Sequence, residues 1–171
     1  MKESITSIIV AMDEKRGIGK NGDLSFRIHE DFKRMNELTR NHPLVMGSNT
    51  FKSIGRLLGA GRTSIVVTRN SGKVKGISFY SPEVKIAPSL VEGIDLARKC
   101  PGSEEIFIFG GGQIFAQAMK EKFVDKLYLT IVEGDYGADT FFPDYSEFKK
   151  VVFEKGGEEG NYKYKFIDLE R

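Results

Sequence analysis

The sequence is poor in the residues that mark disulfide-rich and metal-binding proteins. It holds one cysteine, Cys100, and two histidines, His29 and His42, among 171 residues. A single cysteine excludes a disulfide framework within the chain and fits a reducing compartment. Cys100 precedes Pro101 at a predicted helix end with no histidine nearby, and the two histidines lack ligand spacing. We therefore expect neither a catalytic thiol nor a metal site.

A strong charge of either sign and a long apolar run are also missing. The formal net charge is +2, which offers no basic surface to nucleic acid or to an anionic membrane. No apolar run approaches the about 18–20 residues of a membrane span, and the opening MKESITSIIVAM lacks the apolar core of a signal peptide. With 40% hydrophobic and 29% charged residues, the composition predicts one cytoplasmic domain over residues 1–171. We expect a monomer without nucleic-acid or membrane partners.

What the chain does contain is an alternation of short apolar runs and helical patterns. Strands are predicted at residues 7–12, 43–47, 63–67, 77–80, 105–109 and 126–132, and helices near 28–38, 50–54, 89–99 and 113–119. Residues 148–153 and 162–169 alternate more regularly around Gly156–Gly157 and Gly160–Asn161, the pattern of an antiparallel hairpin. These elements predict a single-domain α/β fold, with a mostly parallel central sheet, an antiparallel C-terminal hairpin and helices on both faces.

The first predicted helix carries a carboxylate on its apolar face. Steps of three and four residues place on this face Ile28, Asp31, Phe32, Met35 and Leu38. Lys33 and Arg34 are expected to point elsewhere, which leaves Asp31 without a charged partner. One interpretation is that a ligand with two N–H donors supplies the partner. The other is that the free N–H groups and dipole of the first helical turn favour an acid there.

Three glycine-containing segments adjoin the predicted strands. Residues 13–23 (DEKRGIGKNGD) are predicted to form a loop, either a mobile lid over a site or a loop without function. Residues 47–50 (GSNT) place capping residues at a helix start, where N–H groups converge on an anion. Residues 110–112 are three consecutive glycines before a helix, which suits either phosphate binding or a tight turn. They do not form the GxGxxG fingerprint.

These segments, in this order, resemble the dihydrofolate reductase family over nearly the whole chain. The motifs that carry the resemblance are SIIVAMDEKRGIGKNGDLSF, HEDF, PLVMGSNTFKSIGR, GRTSIVVTRN, FIFGGGQIF, KLYLT and ADTFFPDY. The family implies NADPH-dependent reduction of 7,8-dihydrofolate to 5,6,7,8-tetrahydrofolate, which supplies one-carbon and thymidylate metabolism and is an antifolate target. The hydride would pass from nicotinamide C4 to pterin C6, and water would protonate N5.

The resemblance also implies residue roles on the substrate side. Asp31 is similar to the acid that binds the pyrimidine edge of the pterin, and Thr130 to the threonine that shares its hydroxyl with that acid. Leu24 and Phe26 complete the implied catalytic set, and Arg62 resembles the arginine that pairs with the α-carboxylate of the glutamate tail. The other implied substrate contacts are Ile9, Val10, Phe32, Met35, Ile54, Leu58, Phe109 and Phe115.

On the cofactor side, Asp139 resembles the acid that steadies the lid. The implied NADPH contacts are Ala11, Ile18, Gly19, Gly47, Ser48, Asn49, Thr50, Thr68, Arg69, Phe109, Gly111, Gly112, Gln113 and Ile114. Ser48 and Gln113 stand where basic residues are frequent in the family, so Arg69 becomes the leading cation for the cofactor's 2′-phosphate.

Two departures from the family lie beside Asp31. Leu24–Ser25–Phe26 replaces Leu-Pro-Trp, and His29 replaces a proline at the helix start. Two rival functions stay open alongside the reductase: a pyrimidinone reductase of the riboflavin pathway with the same fold, and a catalytically silent nucleotide-binding protein. Asp31 and Arg62 argue against the first, and Asp31, Thr130 and Arg62 together against the second.

Overall fold

Two sheets and four helices make up the computed structural model of the chain, which describes residues 3–70, 72 and 83–171. The helices are α1 (His29–Thr39), α2 (Ser48–Ile54), α3 (Leu90–Ala97) and α4 (Gly112–Lys120). The strands are β1 (Ile5–Asp13), β2 (Gly17–Lys20), β3 (Asp23–Leu24), β4 (Leu44–Gly47), β5 (Ser64–Val67), β6 (Val84–Ala87), β7 (Glu105–Gly110), β8 (Lys126–Val132), β9 (Thr140–Phe141), β10 (Lys150–Glu159) and β11 (Tyr162–Glu170).

The main sheet has eight strands in the order β10-β11-β8-β1-β7-β4-β5-β6. Strands from β8 to β6 in this order run parallel to their neighbours, and β11 pairs antiparallel with both β8 and β10. The predicted fold class, a mostly parallel sheet with an antiparallel C-terminal hairpin, is confirmed. The carboxyl ends of β1, β4, β5, β7 and β8 therefore lie at one edge, where α/β sheets bind ligands.

Both faces of the sheet are covered, which explains the nearly continuous apolar runs in its strands. Along β4, Val45 packs with α3 and α4, while Leu44 and Met46 pack on the opposite face against α1 and α2. In β7, Ile106 and Ile108 join the first of these cores and Phe107 the second. Each such fully buried side chain contributes roughly 1.5–3 kcal/mol of hydrophobic stabilisation.

The glycine-rich segment 13–23 is not the irregular loop that was predicted. Its β2 and β3 pair with β9 in a small three-stranded antiparallel sheet. Glycine is needed at position 17 because a Cβ there would lie 2.5 Å from Ala138 Cβ and 2.7 Å from Asp13 Oδ2. Residues 13–23, called the lid below after that interpretation, are thus packed closely against both the end of β1 and the chain before β9.

Strand β6 was not predicted, and the strand predicted at residues 77–80 lies outside the described residues, so it stays a prediction. Two further predictions need correction. The hairpin turns only after Glu159, because Gly157 stays paired with Tyr164, whose ring fills the side-chain space at that glycine. Helix α2 is preceded by Gly47 in extended conformation, and none of the predicted capping residues 48–50 makes a side-chain cap.

No helix in the described part of the chain is long and apolar enough to cross a membrane. Within the same residues, no group of three or more His, Cys, Asp or Glu side chains is placed to hold a metal ion.

Candidate active site

A hydrogen bond joins Asp31 of α1 to Thr130 of β8. The Thr130 hydroxyl donates to Asp31 Oδ1 at 2.5 Å. Burial raises the pKa of the Asp31 carboxyl above its ordinary value, and this increase is opposed by the Thr130 hydrogen bond and by the charge of Arg34. No other described residue donates to Asp31 through a side-chain bond. Because the threonine gives its only proton to this bond, its oxygen is left as an acceptor, and Asp31 Oδ2 has no side-chain donor among the described residues.

Arg34 points away from Asp31, as expected, but into the protein and not to solvent. Its side chain is only 16% exposed and reaches β11, where Nη2 donates to both carboxylate oxygens of Asp168 at 2.6 and 2.8 Å. An i,i+3 spacing places Arg34 one helical turn beyond Asp31. The sequence alone did not show that a buried acid on β11 draws the guanidinium toward the sheet.

Half-buried apolar side chains lie on the same side of the sheet as this pair. Phe32 and Met35 lie on α1 with Asp31. The implied substrate contacts that border the core between α1, α2 and the sheet are Ile9, Ile54, Leu58 and Phe109. Being half-buried, they pack against the core and still present a surface to a ligand. Two other implied contacts, Val10 and Phe115, belong to the core on the opposite face, with Phe115 packed against Phe142 and close to Gly110.

Arg62 is a buried cation with no carboxylate partner among the described residues. It is 5% exposed, its Nη1 donates to Asn36 Oδ1 at 3.0 Å, and its Nε has no partner. Burial lowers the pKa of the Arg62 guanidinium, and the neighbouring charges of Arg40 and Arg56 lower it further. A buried unpaired charge is costly, so this position suits the anionic group of a ligand. The role of Asn36 was missed in the sequence.

The starts of α2 and α4 meet at the glycine turn after β7. A Cβ on Gly111 would lie 3.3 Å from Thr50 Oγ1, and one on Gly47 would lie 3.4 Å from Ile114 Cγ1. The peptide between Gly110 and Gly111 is cis. These contacts bring two separated glycine-containing segments together, as their positions at the carboxyl ends of neighbouring strands predict.

Neither helix start is capped by a side chain, because the residue before α2 is Gly47 and the residue before α4 is Gly111, and glycine has no side chain to accept a hydrogen bond. Their first-turn N–H groups are thus open to an anion. Thr68 and Arg69 follow β5 at the same edge, and Arg69 is exposed without an ion pair to any described residue. Gln113 is exposed in the first turn of α4. Open N–H groups, close-approach glycines and a nearby cation fit the phosphates of a dinucleotide.

The lid reaches this cradle and is held by two carboxylates. A Cβ on Gly112 would lie 2.7 Å from Thr140 Cγ2 and 3.9 Å from Ile18 Cδ1. Asp139 accepts from Asn21 N at 2.8 Å and donates its own N–H to Gly19 O at 3.0 Å.

Asp13 was not predicted to have a role, yet it is the more buried of the two tethers. Its Oδ1 accepts from Lys15 N and Gly17 N, and its Oδ2 from Tyr136 N at 3.2 Å. An aspartate at the end of a strand, directly before a turn, is the local signal that could have identified it, because such a side chain often accepts the backbone N–H two residues on.

The departures beside Asp31 are built into the structure. Phe26 is buried and packs edge-on against Tyr136 and Tyr162, with ring centroids at 5.5 and 6.2 Å, whereas Leu24, at the end of β3, is 51% exposed. The backbone N–H of His29 donates to Glu159 Oε2 at 2.6 Å and that of Glu30 donates to Oε1 at 3.2 Å. No local pattern could have shown that Glu159, 130 residues beyond His29, serves this helix end.

Comparison with known proteins agrees with the geometry. The sequence profile described as dihydrofolate reductase matches residues 5–171. The dihydrofolate reductase of Staphylococcus haemolyticus is 37% identical over 169 residues, which cover 96% of this chain and 95% of that protein. The type 3 enzyme of Salmonella typhimurium is 33% identical over 171 residues, 98% of each chain.

A solved structure is also similar. Dihydrofolate reductase from Enterococcus faecalis, complexed with NADP(H) and RAB-propyl, superposes with a TM-score of 0.80 at 29% identity, covering 98% of this chain and 96% of that one. The motifs, the fold and these similarities lead to one conclusion: the chain belongs to the dihydrofolate reductase family.

Proposed function

We propose that the chain reduces 7,8-dihydrofolate to 5,6,7,8-tetrahydrofolate with NADPH, and that Asp31 and Thr130 bind the pterin. The observation that carries the residue assignment is the pair of adjacent acceptors, Asp31 Oδ2 and Thr130 Oγ1. The amino-pyrimidine edge of a pterin presents adjacent N–H donors, which these acceptors complement. Half-buried Phe32 and Met35 on the same helix would contact the apolar faces of the ring and benzoyl group.

Arg62 is the proposed partner of the glutamate tail. Its guanidinium is buried, its Nε is unpaired and Asn36 holds one of its terminal nitrogens. A carboxylate can accept two parallel N–H bonds from such a fork, which a neutral group cannot match. The pyrimidinone reductases of the riboflavin pathway typically lack this arginine, as the family resemblance implies, so Arg62 favours dihydrofolate as the substrate.

Residues at the starts of α2 and α4 are proposed to hold NADPH, with Thr68 and Arg69 beside them. The open N–H groups after Gly47 and Gly111 would receive the phosphates. When bound, NADPH supplies the hydride. The NADP(H) in the Enterococcus faecalis relative supports the choice of cofactor. Arg69 is the candidate for the 2′-phosphate because Ser48 and Gln113 are uncharged.

The chain's own contribution to the reaction is to bind and orient a flat ring where little water enters. Asp31 is withdrawn from solvent, so its interaction with ligand N–H groups is stronger than in water. Asp31 fixes and polarises the ring. Ile18 and Gly19 on the lid exclude most water from the site but still admit the water that delivers the proton.

The assignment is tested by following NADPH absorbance with dihydrofolate for the wild type, Asp31→Asn and Thr130→Val. Asparagine keeps the shape of the side chain but loses its charge and one acceptor. We expect kcat/KM to fall on the order of 100-fold or more for Asp31→Asn and about 10-fold for Thr130→Val, as charged and neutral hydrogen bonds differ.

Glu92→Gln on α3 is the matched control, because Glu92 is exposed and bonds only within its own helix start. It should retain wild-type kcat/KM. A wild type that binds both ligands without turnover would support the silent binding protein. Turnover that survives Asp31→Asn would contradict the role of Asp31.

A further inference from the structure

A buried ion pair lies one helical turn beyond Asp31. Arg34 of α1 holds both oxygens of Asp168 on β11, and the two side chains are 16% and 8% exposed. The guanidinium also lies over three aromatic rings, with Cζ 4.8 Å from the ring centroid of Phe166, 5.2 Å from Phe153 and 5.9 Å from Tyr128. The pair is therefore largely withdrawn from water and packed between a helix and aromatic side chains of the sheet.

This pair and the Asp31–Thr130 bond are successive attachments of α1 to the same face of the sheet. Thr130 is opposite Phe166 in the sheet, and Asp168 is two residues farther along β11, opposite Tyr128. Three helical residues span about 4.5 Å and two strand residues roughly 6.6 Å. Asp31 with Thr130 and Arg34 with Asp168 thus form two adjacent rungs that fix the position of the helix along the sheet.

The ion pair is an expensive way to attach a helix. Desolvation of two charges offsets much of their attraction, and a well-packed apolar pair is often at least as stable. A role in the site explains why a charge pair suits this position. Arg34 stands close enough to Asp31 for its charge to act on that carboxyl. A free guanidinium there could turn to Asp31 and occupy the acceptor that the ligand needs.

We propose that Arg34 and Asp168 are positioning residues for Asp31. Asp168 holds Arg34 and offsets its charge, so that one carboxylate oxygen of Asp31 stays available to accept a hydrogen bond from the substrate. The proposal rests on the proposed substrate role of Asp31. Arg34 alone would attract Asp31, and Asp168 alone would repel it. Together they leave a carboxyl whose near neighbour in the site is a neutral hydroxyl.

The charged surroundings of Asp31 allow this effect to be isolated. Its own helix contributes Glu30 and Arg34, β8 contributes the neutral Thr130, and β11 contributes Asp168 and the phenol of Tyr164. That phenol has its pKa raised by burial and by the charges of Glu30, Glu159 of β10 and Asp31. The cation whose charge acts on Asp31 is Arg34. Substitutions of Arg34 and of Asp168 therefore change the charge near Asp31 in opposite directions, whereas both weaken the attachment of the helix.

The test is a pH titration of the Asp31 carboxyl by ¹³C NMR in the ligand-free protein, assigned with Asp31→Asn. Asp168→Asn leaves the Arg34 charge without its counterion, so the pKa of Asp31 should fall. Arg34→Met removes the cation and leaves Asp168, so the pKa should rise. Each change should be about half to one pH unit, the effect of a partly screened charge one helical turn away. The pH profile of kcat/KM should shift with the pKa of Asp31, to lower pH in Asp168→Asn and to higher pH in Arg34→Met.

A purely structural role gives a different result. Loss of either partner would then weaken the same attachment of the helix, and the two substitutions would not shift the pKa of Asp31 in opposite directions. Arg98→Met and Asp95→Asn, in an exposed pair at 2.8 Å on and after α3, are matched controls and should leave the Asp31 titration unchanged. If Arg34→Met fails to fold, Asp168→Asn alone decides. If the pKa of Asp31 stays the same or rises in Asp168→Asn, the proposal is overturned. This outcome is independent of turnover, because a lack of turnover would contradict only the proposed reaction.

Discussion

At the residue scale, the site is marked by polar groups whose bonding is incomplete in the protein alone. Asp31 keeps one carboxylate oxygen without a side-chain donor, and the buried Arg62 keeps its Nε without a partner. Buried polar groups are nearly always satisfied in folded proteins, so an unsatisfied one calls for an explanation. An acid and a cation, both only partly satisfied, describe a ligand with N–H donors at one end and an anion at the other.

Replacing Arg62 should affect the tail of the substrate and leave the ring chemistry unchanged. Arg62→Gln loses the charged fork, so we expect KM for dihydrofolate to rise about 10- to 100-fold, the value of a charge-assisted hydrogen bond, with kcat nearly unchanged. Dihydropteroate, which lacks the glutamate, should show almost no change in KM. Steady-state kinetics with both substrates measures the difference.

Arg56→Gln controls for the loss of a nearby charge. Arg56 is exposed and acts on Arg62 only through its field. Its replacement should raise KM for dihydrofolate by less than about threefold, as expected for a screened surface charge. Equal effects of the two substitutions would mean that the basic surface attracts the tail without a specific pair.

Some of these residues could be predicted and others could not. The helical period alone placed Asp31 among Phe32 and Met35 on one face, because side-chain spacing is a local property. The same period also placed Arg34 one turn along, but its direction depended on Asp168, 134 residues away. Long-range partners of this kind leave no pattern in the sequence near the residue that they hold.

At the element scale, α1 depends on the hairpin for its N-terminal cap. Ile28 precedes the helix and cannot cap it with its side chain, so Glu159 receives the N–H groups of His29 and Glu30. The proline that the family resemblance implies at position 29 has no N–H to satisfy. His29 introduces a donor, and the carboxylate of Glu159 supplies its acceptor.

Glu159→Gln should therefore destabilise the fold through α1. The amide keeps one acceptor but loses the other and the charge that favours a helix N-terminus, which costs about 0.5–2 kcal/mol. For a chain of this length, the midpoint of thermal unfolding should fall by about 2–4 °C per kcal/mol.

Glu158→Gln is the control on the same hairpin. Glu158 is 72% exposed and its oxygen is 4.0 Å from Lys163 Nζ. Its replacement should change stability by less than about 0.5 kcal/mol. If both variants unfold at the same temperature, Glu159 does not cap α1 in solution.

The elements themselves were predictable to different degrees. The buried strands stood out as apolar runs because both faces of the sheet are covered, and the strand-to-helix order gave the parallel arrangement. The short β2, β3 and β9 were missed because strands of two to four residues are too short to show an alternating pattern, and glycines interrupt β2. They pair through close backbone contacts, which the sequence of the segment does not encode as a side-chain period.

At the scale of the whole molecule, the lid and the main sheet meet at Asp13. This residue ends β1, accepts the N–H groups of Lys15 and Gly17 at the start of the lid, and accepts that of Tyr136 before β9. Tyr136 in turn packs against Phe26 and Tyr162 of the hairpin. One buried carboxylate therefore joins the central strand, the lid and the aromatic cluster beside α1.

Asp13→Asn should loosen the lid while the sheet stays folded. The amide nitrogen cannot accept a hydrogen bond, so at least one of the three backbone N–H groups loses its partner, at a cost of about 1–3 kcal/mol for a buried group. We expect faster hydrogen exchange at Gly17 and Tyr136, unchanged exchange in β4 and β5, and weaker NADPH binding, since Ile18 on the lid approaches the cradle at Gly112. Asp135→Asn removes only the exposed pair with Lys15 and should leave exchange at Gly17 unaltered. Exchange that rises equally throughout the protein would show that Asp13 stabilises the whole fold and has no specific effect on the lid.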